Sequence, residues 1–203
     1  MQKSNLINIS GQVINIQTKS YRLNKEIFYM FYIKTKRLSE TYDILPVIIS
    51  KKIFDSFLLQ ENKFINIKGE IRTYNNSELN FKSNQTKLIL VIYAQNISKY
   101  QQNNLNQVFL TGHLRKNPTY RKTPFGREIS DILLKIKRLD NKFDYIPCIS
   151  WGRNARRALK FNLSDKIKIH GRIQSREYQK KIITGETLNK TTYEVSVFKI
   201  NSD

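Results

Sequence analysis

The sequence has little of what a catalyst or a secreted scaffold needs. It carries one cysteine, Cys148, so no internal disulfide can form and an intracellular setting is expected. Cys148 lies in the apolar run Tyr145-Ile-Pro-Cys-Ile149 with no activating neighbour in sequence, and it reads as a small core residue rather than a nucleophile. Two histidines, His113 and His170, stand apart from any cysteine or acid cluster, so no metal site is expected. Ser/His/Asp sets, obvious carboxylate pairs and glycine-rich phosphate loops are also missing. No catalytic residue is therefore assigned, no cofactor is called for, and the expectation is a protein that is not an enzyme. No apolar stretch approaches the roughly 20 residues that cross a bilayer. The opening Met-Gln-Lys-Ser-Asn has no apolar signal region, and no membrane partner is expected.

Acidic residues are scarce as well. Against 36 Lys+Arg there are 16 Asp+Glu, a formal net charge of +20 in 203 residues. Such a charge repels itself unless a polyanion neutralises it, which points to nucleic acid or another anionic surface. Hydrophobic residues make up 39% of the chain, enough for a compact core, so a basic disordered tail is excluded.

What is present is period-two alternation. Strands are expected at 6–16, Ile27 to Lys36, Asp43 to Ser50, Phe64 to Tyr74 and Lys87 to Ile97. Gly11 allows a bend or bulge in the first. Ser50 can cap a helix in which Ile53, Phe54, Phe57 and Leu58 share one face. After the polar stretch 101–107 the pattern restarts. Strands are expected at Val108 to Leu114, Ile129 to Arg138, Tyr145 to Ser150, Lys166 to Ser175 and Thr191 to Ile200. A helix at Asn154 to Phe161 carries Ala155, Ala158 and Leu159 on its apolar side. Landmarks keep register between the halves. Gly11 to Pro46 and Gly112 to Pro147 are both 35 positions (46−11, 147−112), and Gly11 to Gly69 is 58 against 59 for Gly112 to Gly171. The motif Asp-x-x-Pro recurs as Asp43–Pro46 and Asp144–Pro147. This is an internal duplication. Each half reads strand–strand–strand–helix–strand–strand, the plan of the OB-fold. The expected fold is all-β with short helices, two tandem five-stranded OB barrels. Residues 1–100 form an N-terminal domain, 101–107 a linker and 108–203 a C-terminal domain.

Ile167-Lys-Ile-His-Gly-Arg-Ile-Gln-Ser-Arg-Glu-Tyr178 resembles the fourth strand of bacterial single-stranded DNA-binding proteins, with Tyr178 on the position of a base-stacking aromatic. Val108-Phe-Leu-Thr-Gly112, followed by Pro118 and Arg121, resembles their first strand. Asp144-Tyr-Ile-Pro-Cys-Ile-Ser-Trp-Gly152 resembles the third, with Tyr145 on another stacking position, and Thr192-Tyr-Glu-Val-Ser-Val197 the last. The resemblance implies single-strand binding in replication, repair or recombination, in the cytoplasm at the nucleoid. Members usually have one OB domain per chain and assemble as tetramers, so two per chain imply a homodimer with four OB units, or a monomer with a longer path. Members also usually carry a linker and an acidic tip that recruits replication and repair proteins. Here Lys199-Ile-Asn-Ser-Asp follows the last strand, which puts recruitment by that route in doubt, though such partners are not excluded.

Single-strand binding needs cations for phosphates and flat faces for bases. Tyr145, Tyr178 and Trp151 are the stacking candidates, and Trp151, which follows an apolar strand, reads equally as core. Tyr120 to Glu128 reads as a hairpin loop turning at Thr123-Pro-Phe-Gly126, which presents Arg121, Phe125 and Arg127 beside Tyr120. A second hairpin, Gln179 to Lys190, carries Lys180 and Lys181 and turns at Thr184-Gly185. Arg153, Arg156, Arg157 and Lys160 share one helix face, either a guide for the strand or a solvated stripe. Arg138, Arg172 and Arg176 lie on strands, the last two on the face of Tyr178. The first half contributes Arg37, Arg72 and Tyr74, but Asn76 stands where the final aromatic belongs. It holds three arginines against nine in the second half, so it reads as the degenerate copy and the C-terminal domain as the main binder. The reading is a single-stranded DNA-binding protein. The alternatives are a primosome-like OB interaction factor and a single-stranded RNA binder.

Overall fold

The structure, a computed structural model, describes residues 4–17, 21–23, 26–37, 39–75, 88–100, 105–181 and 187–203. The first half contains β1 (Asn5–Ile14), β2 (Tyr21–Leu23), β3 (Glu26–Lys36), β4 (Tyr42–Ser50), α1 (Lys51–Phe57), β5 (Phe64–Asn75) and β6 (Leu88–Lys99). The second contains β7 (Asn106–Leu114), β8 (Thr119–Lys122), β9 (Glu128–Lys137), β10 (Phe143–Trp151), α2 (Arg153–Ala158), β11 (Lys166–Lys181) and β12 (Thr187–Ser202).

Alternation sets which face each strand buries. Ile7 and Ile9 of β1, Ile65, Ile67 and Ile71 of β5, and Ile167, Ile169 and Ile173 of β11 are all buried in one apolar cluster that draws on both halves. Each such side chain contributes roughly 1.5–3 kcal/mol on burial. In the first half the strands run β3-β4-β6-β5-β1, and β1 pairs again with β3 to close a barrel; β7, β11, β12, β10 and β9 repeat this arrangement. The β4–β6 and β10–β12 pairs are parallel and the other pairs antiparallel. This is the strand order of the OB-fold, built twice, with a helix between its third and fourth strands. Closure needs glycine at one point in each barrel. A Cβ on Gly11 would lie 2.5 Å from the Lys34 carbonyl oxygen, and one on Gly112 would lie 2.6 Å from that of Lys135.

The barrels share one twelve-stranded sheet because β1 pairs antiparallel with β7. Ile7 stands opposite Val108, and the offset between them (108−7 = 101) is that between Gly11 and Gly112 (112−11 = 101). A local twofold axis therefore passes between Ile7 and Val108.

Several expectations are corrected. Ser50 does cap α1, its Oγ accepting from the Ile53 N–H, and Ile53, Phe54 and Phe57 pack on the core. Leu58, however, ends the helix in the left-handed region (φ 48°) and is 75% exposed, so it leaves the apolar face. Helix α2 stops at Ala158. Ala155 and Ala158 are buried, Leu159 is 50% exposed, and Lys160 lies beyond the helix rather than on its stripe. The short strands β2 and β8 were not expected; they extend the β3 and β9 hairpins with three and four residues, too few to show a period. Asn106 and Gln107 are not linker but open β7, and the Leu105 N–H donates to Ser10 Oγ at 2.9 Å. Strand β11 extends beyond Ser175 to Lys181, and the turn expected at Thr184-Gly185 lies outside the described residues.

Candidate nucleic-acid interface

Two arginines among the binding candidates, Arg37 and Arg138, tie the halves together. Arg138 donates through Nε to Asp144 Oδ2 at 2.8 Å and through Nη2 to the Thr73 carbonyl oxygen of the other half at 2.7 Å. Asp144 Oδ1 in turn accepts the Thr73 N–H at 2.6 Å and its hydroxyl at 3.2 Å. The duplicate of this clamp joins Arg37, Asp43 and Ser175. Arg37 Nε reaches Asp43 Oδ2 at 2.8 Å, and Asp43 Oδ1 accepts the Ser175 N–H at 2.7 Å and its hydroxyl at 3.0 Å. Burial is the largest influence on Arg138 and lowers its pKa, but the hydrogen bond to Asp144 and the charge attraction of Asp144 and Tyr74 together outweigh it and the pKa is raised; for Arg37 the hydrogen bond to Asp43 dominates in the same direction. These guanidiniums already have partners, so Arg37 and Arg138 are placed in the junction between halves before any ligand arrives.

Next to the Arg138 clamp the halves enclose a groove of about 610 Å³. Strands β5 and β6 supply Arg72, Tyr74 and Tyr93, and the β9–β10 hairpin supplies Arg138, Phe143 and Tyr145. Cations lie over the rings. The Arg72 guanidinium carbon is 3.4 Å from the Tyr93 ring centre, that of Arg138 is 4.9 Å from Tyr74, and Lys135 Nζ is 4.0 Å from Phe143. Arg72 is also held by Glu70, with Nη2 at 2.9 Å from Oε2. Burial pushes the Tyr74 hydroxyl pKa up, against the pull of Arg72 and Arg138. Glu26, Asp140 and Lys142 complete the rim. Tyr74 is itself buried in a second apolar cluster with Met30, Ile48, Ile89 and Val91, so Tyr93, Phe143 and Tyr145 offer the flat faces beside fixed positive charge, which suits a base with its phosphate.

The sequence pointed to Arg72, Tyr74, Arg138 and Tyr145, and the structure brings these four together. It missed Tyr93, Phe143 and Lys135. Phe143 lies two residues before Tyr145 and so on the same face, and Lys135 is the register partner of Tyr145, so both were findable by period and pairing. Tyr93 had no signal, because its repeat position is Ser196.

The other candidates lie elsewhere. Phe125, at the tip of the β8–β9 hairpin, is 93% exposed, with Arg127 exposed beside it. The turn is the expected one, Gly126 N–H donating to the Thr123 carbonyl at 2.8 Å with Gly126 at φ +75°. In the same hairpin Arg121 pairs with Asp131 and Tyr120 donates to Glu128 at 2.7 Å. Arg156 of α2 reaches Glu128 at 3.4 Å, linking helix to hairpin, while Arg153 points to solvent and Trp151 is half-buried at the end of β10. On β11, Arg176 pairs with Glu194 and lies 5.8 Å from the half-buried Tyr178 ring. Arg172 is half-buried, its Nε has no partner, and burial lowers its pKa. The Lys180 side chain lies outside the described residues. Among the described residues, no three His, Cys, Asp or Glu side chains cluster, and no helix is long and apolar enough to cross a membrane.

Two OB barrels fused through their first strands, with cation-capped aromatics at the junction, define a tandem OB-fold protein. The family model described as Single-strand binding protein family matches residues 105–202. Single-stranded DNA-binding protein A of Bacillus subtilis is 32% identical over 82 residues, covering 37% of this chain and 48% of that protein. Single-stranded DNA-binding protein B of the same organism is 32% identical over 81 residues, covering 36% of this chain and 72% of that protein. The chain belongs to the single-strand binding protein family. It spans about half the length of the first curated relatives it matches, 48% and 52%. The wild-type single-stranded DNA binding protein from Thermus aquaticus has the same fold over almost the whole length, at a TM-score of 0.71 and 16% identity, covering 98% of this chain and 92% of that one.

Proposed function

We propose that the chain binds single-stranded DNA with little sequence preference and performs no catalysed step. The observation that carries this reading is the groove between the halves, where Arg72 and Arg138 each sit over an aromatic ring. Unpaired bases can stack there and their phosphates meet Arg72 and Lys142 at its rim, whereas bases in a duplex are already stacked and hidden. Phe125 and Arg127 at the β8–β9 tip, with Arg176 and Tyr178 on β11, extend the contact beyond the groove. Arg37 and Arg138 hold the halves in place rather than grip phosphates directly. The role is to coat and protect exposed strands during replication, repair or recombination, alongside the proteins that act on them.

Two chains pair to give four barrels. Leu6 and Phe109 support this pairing: they stand opposite each other on β1 and β7, half-buried on the face away from the core residues Ile7 and Val108. Sedimentation of the 24.1 kDa chain is then expected to give twice that mass; a monomer at micromolar concentration refutes the pairing alone.

The binding test is a titration of labelled dT, rU and duplex oligonucleotides at several salt concentrations. Affinity for dT is expected to exceed that for duplex, with a log–log salt slope of about −0.7 per phosphate contacted. Equal affinity for duplex sinks the single-strand reading, and a clear excess for rU reassigns the ligand to RNA.

A further inference from the structure

An acid on a surface that takes a polyanion repels it, yet Glu70 and Glu194 stand against Arg72 and Arg176. We infer that these two carboxylates are positioning residues for the bound strand. Each fixes an arginine beside a tyrosine ring in the free chain, so that a nucleotide meets a flat face and a cation already in place. This rests on the single-strand reading above.

The same four residue types meet in each half. In the first, Glu70 Oε2 accepts from Arg72 Nε at 3.1 Å and Nη2 at 2.9 Å, and Glu70 Oε1 accepts from Gln95 Nε2 at 2.7 Å. The Arg72 guanidinium carbon lies 3.4 Å from the Tyr93 ring centre. In the second, Glu194 Oε1 accepts from Gln174 Nε2 at 3.0 Å and Oε2 from Arg176 Nε at 3.4 Å, and the Arg176 guanidinium carbon lies 5.8 Å from the Tyr178 ring centre. One carboxylate oxygen is thus taken by an amide and the other by the arginine, which holds the carboxylate in one orientation. Glu194 is buried and Arg176 exposed, so an incoming phosphate meets the cation rather than the acid. The grip on Arg176 uses Nε and leaves the terminal nitrogens to that phosphate.

Duplication did not hand this arrangement down, because the two quartets occupy different positions of the repeat. Strand β1 places Ile7 opposite Gly69, and β7 places Val108 opposite Gly171, so Glu70, Arg72 and Tyr74 correspond to Arg172, Gln174 and Arg176. Arg72 faces Val91 across β5–β6, and Gln174 faces Glu194 across β11–β12, so Glu194 stands where the first half has Val91. The amides differ as well. Gln95 is the extra residue of the β6 bulge opposite Gly69, whereas Gln174 is a regular residue of β11. Each half reaches the same contacts by its own residues. The physical gain is the same in both. An unfixed arginine loses rotamer freedom when a ligand orders it, and a carboxylate that orders it beforehand removes that loss from the binding step.

The test uses the full chain with a dT oligonucleotide and an abasic phosphodiester of the same length and charge. Glutamine has one acceptor oxygen where glutamate has two, so it cannot hold both partners. Glu70→Gln and Glu194→Gln are each expected to weaken dT binding about three- to tenfold, and to lower the dT preference over the abasic strand by a similar factor. Charge alone predicts the opposite sign, since each variant removes a negative charge and tightens the hold on any polyanion. Asp55→Asn makes the same charge change on α1, where Asp55 pairs with Lys51, and is expected to leave the preference unchanged. Gln174→Met frees Glu194 Oε1 at constant charge and is expected to lower the preference as Glu194→Gln does. Tighter or unchanged dT binding by the glutamate variants overturns the inference, and so does an equal loss on both strands, which marks a merely structural role. A wild type that binds both strands equally overturns this inference alone; one that binds neither overturns the single-strand reading with it. Nuclear magnetic resonance of the free wild type needs no variant. The Nε–H protons of Arg72 and Arg176 are expected to exchange with water more slowly than that of the exposed Arg153, and equal rates overturn the inference.

Discussion

Thr73 in the first half donates its backbone N–H to Asp144 in the second at 2.6 Å, and the twofold copy of this bond runs from Ser175 to Asp43 at 2.7 Å. The aspartate also holds the arginine of its own hairpin. One carboxylate therefore fixes both the hairpin and the angle between barrels, and with it the width of the groove.

Asp144→Asn removes the charge that compensates Arg138, whose side chain is 8% exposed. A loss of about 3–5 kcal/mol in unfolding free energy is expected, because a buried guanidinium is left unpaired. Asp43→Asn is expected to cost less, since Arg37 is 24% exposed and water can reach it. Chemical denaturation of the two variants checks the order, and equal losses contradict it.

Phe125→Ala separates binding from stability. The ring is 93% exposed, so the unfolding free energy is expected to stay within about 0.5 kcal/mol of the parent. Affinity for dT is expected to fall by about 1–3 kcal/mol, the value of one stacked base. Calorimetric melting and anisotropy titration read the two quantities, and unchanged affinity removes the β8–β9 tip from the interface.

Asp203 gives a pH dependence. Hydrogen bonds from Lys166 and Lys168 hold its carboxyl at about 2, below the ordinary value near 3.9. A depressed folded-state pKa contributes stability that is present in full above about 4 and is lost as pH falls toward about 2. Both lysines are solvent-exposed, so the effect is small. The melting temperatures of wild type and Asp203→Asn are expected to differ at pH 7 and to converge near pH 2; a constant gap contradicts the assignment.

Cys148 is buried, and burial pushes its thiol pKa up, so it stays protonated at neutral pH. A thiol reagent at pH 8 is expected to label the native chain at the rate of unfolding and the denatured chain at once. Immediate labelling of the native chain places Cys148 at the surface instead.

Much of each barrel was legible because alternation reports which face a strand buries. The run Phe64 to Tyr74 showed β5 in this way, and Ser50 marked the start of α1 through its hydroxyl. The repeated Asp-x-x-Pro was visible too, but not its purpose. The partner of Asp144 is Thr73, 71 residues away, and that of Asp43 is Ser175, 132 away. No local pattern encodes such a pairing. Leu58 and Leu159 misled for a related reason: helical spacing predicts a face only while the helix lasts, and both fall where it ends.

By itself the sequence determined the charge, the duplicated strand plan and the family, since these depend on residue types and short-range periods. It also marked Tyr145 as a stacking candidate. Tertiary structure alone decided that Tyr74 and Tyr93 of the weaker half share a groove with Tyr145 of the stronger, and that Arg37 and Arg138 hold the halves together. The reason is the β1–β7 seam. It sets two barrels about a twofold axis, so each groove is assembled from segments distant in the chain, and its chemistry belongs to neither half alone.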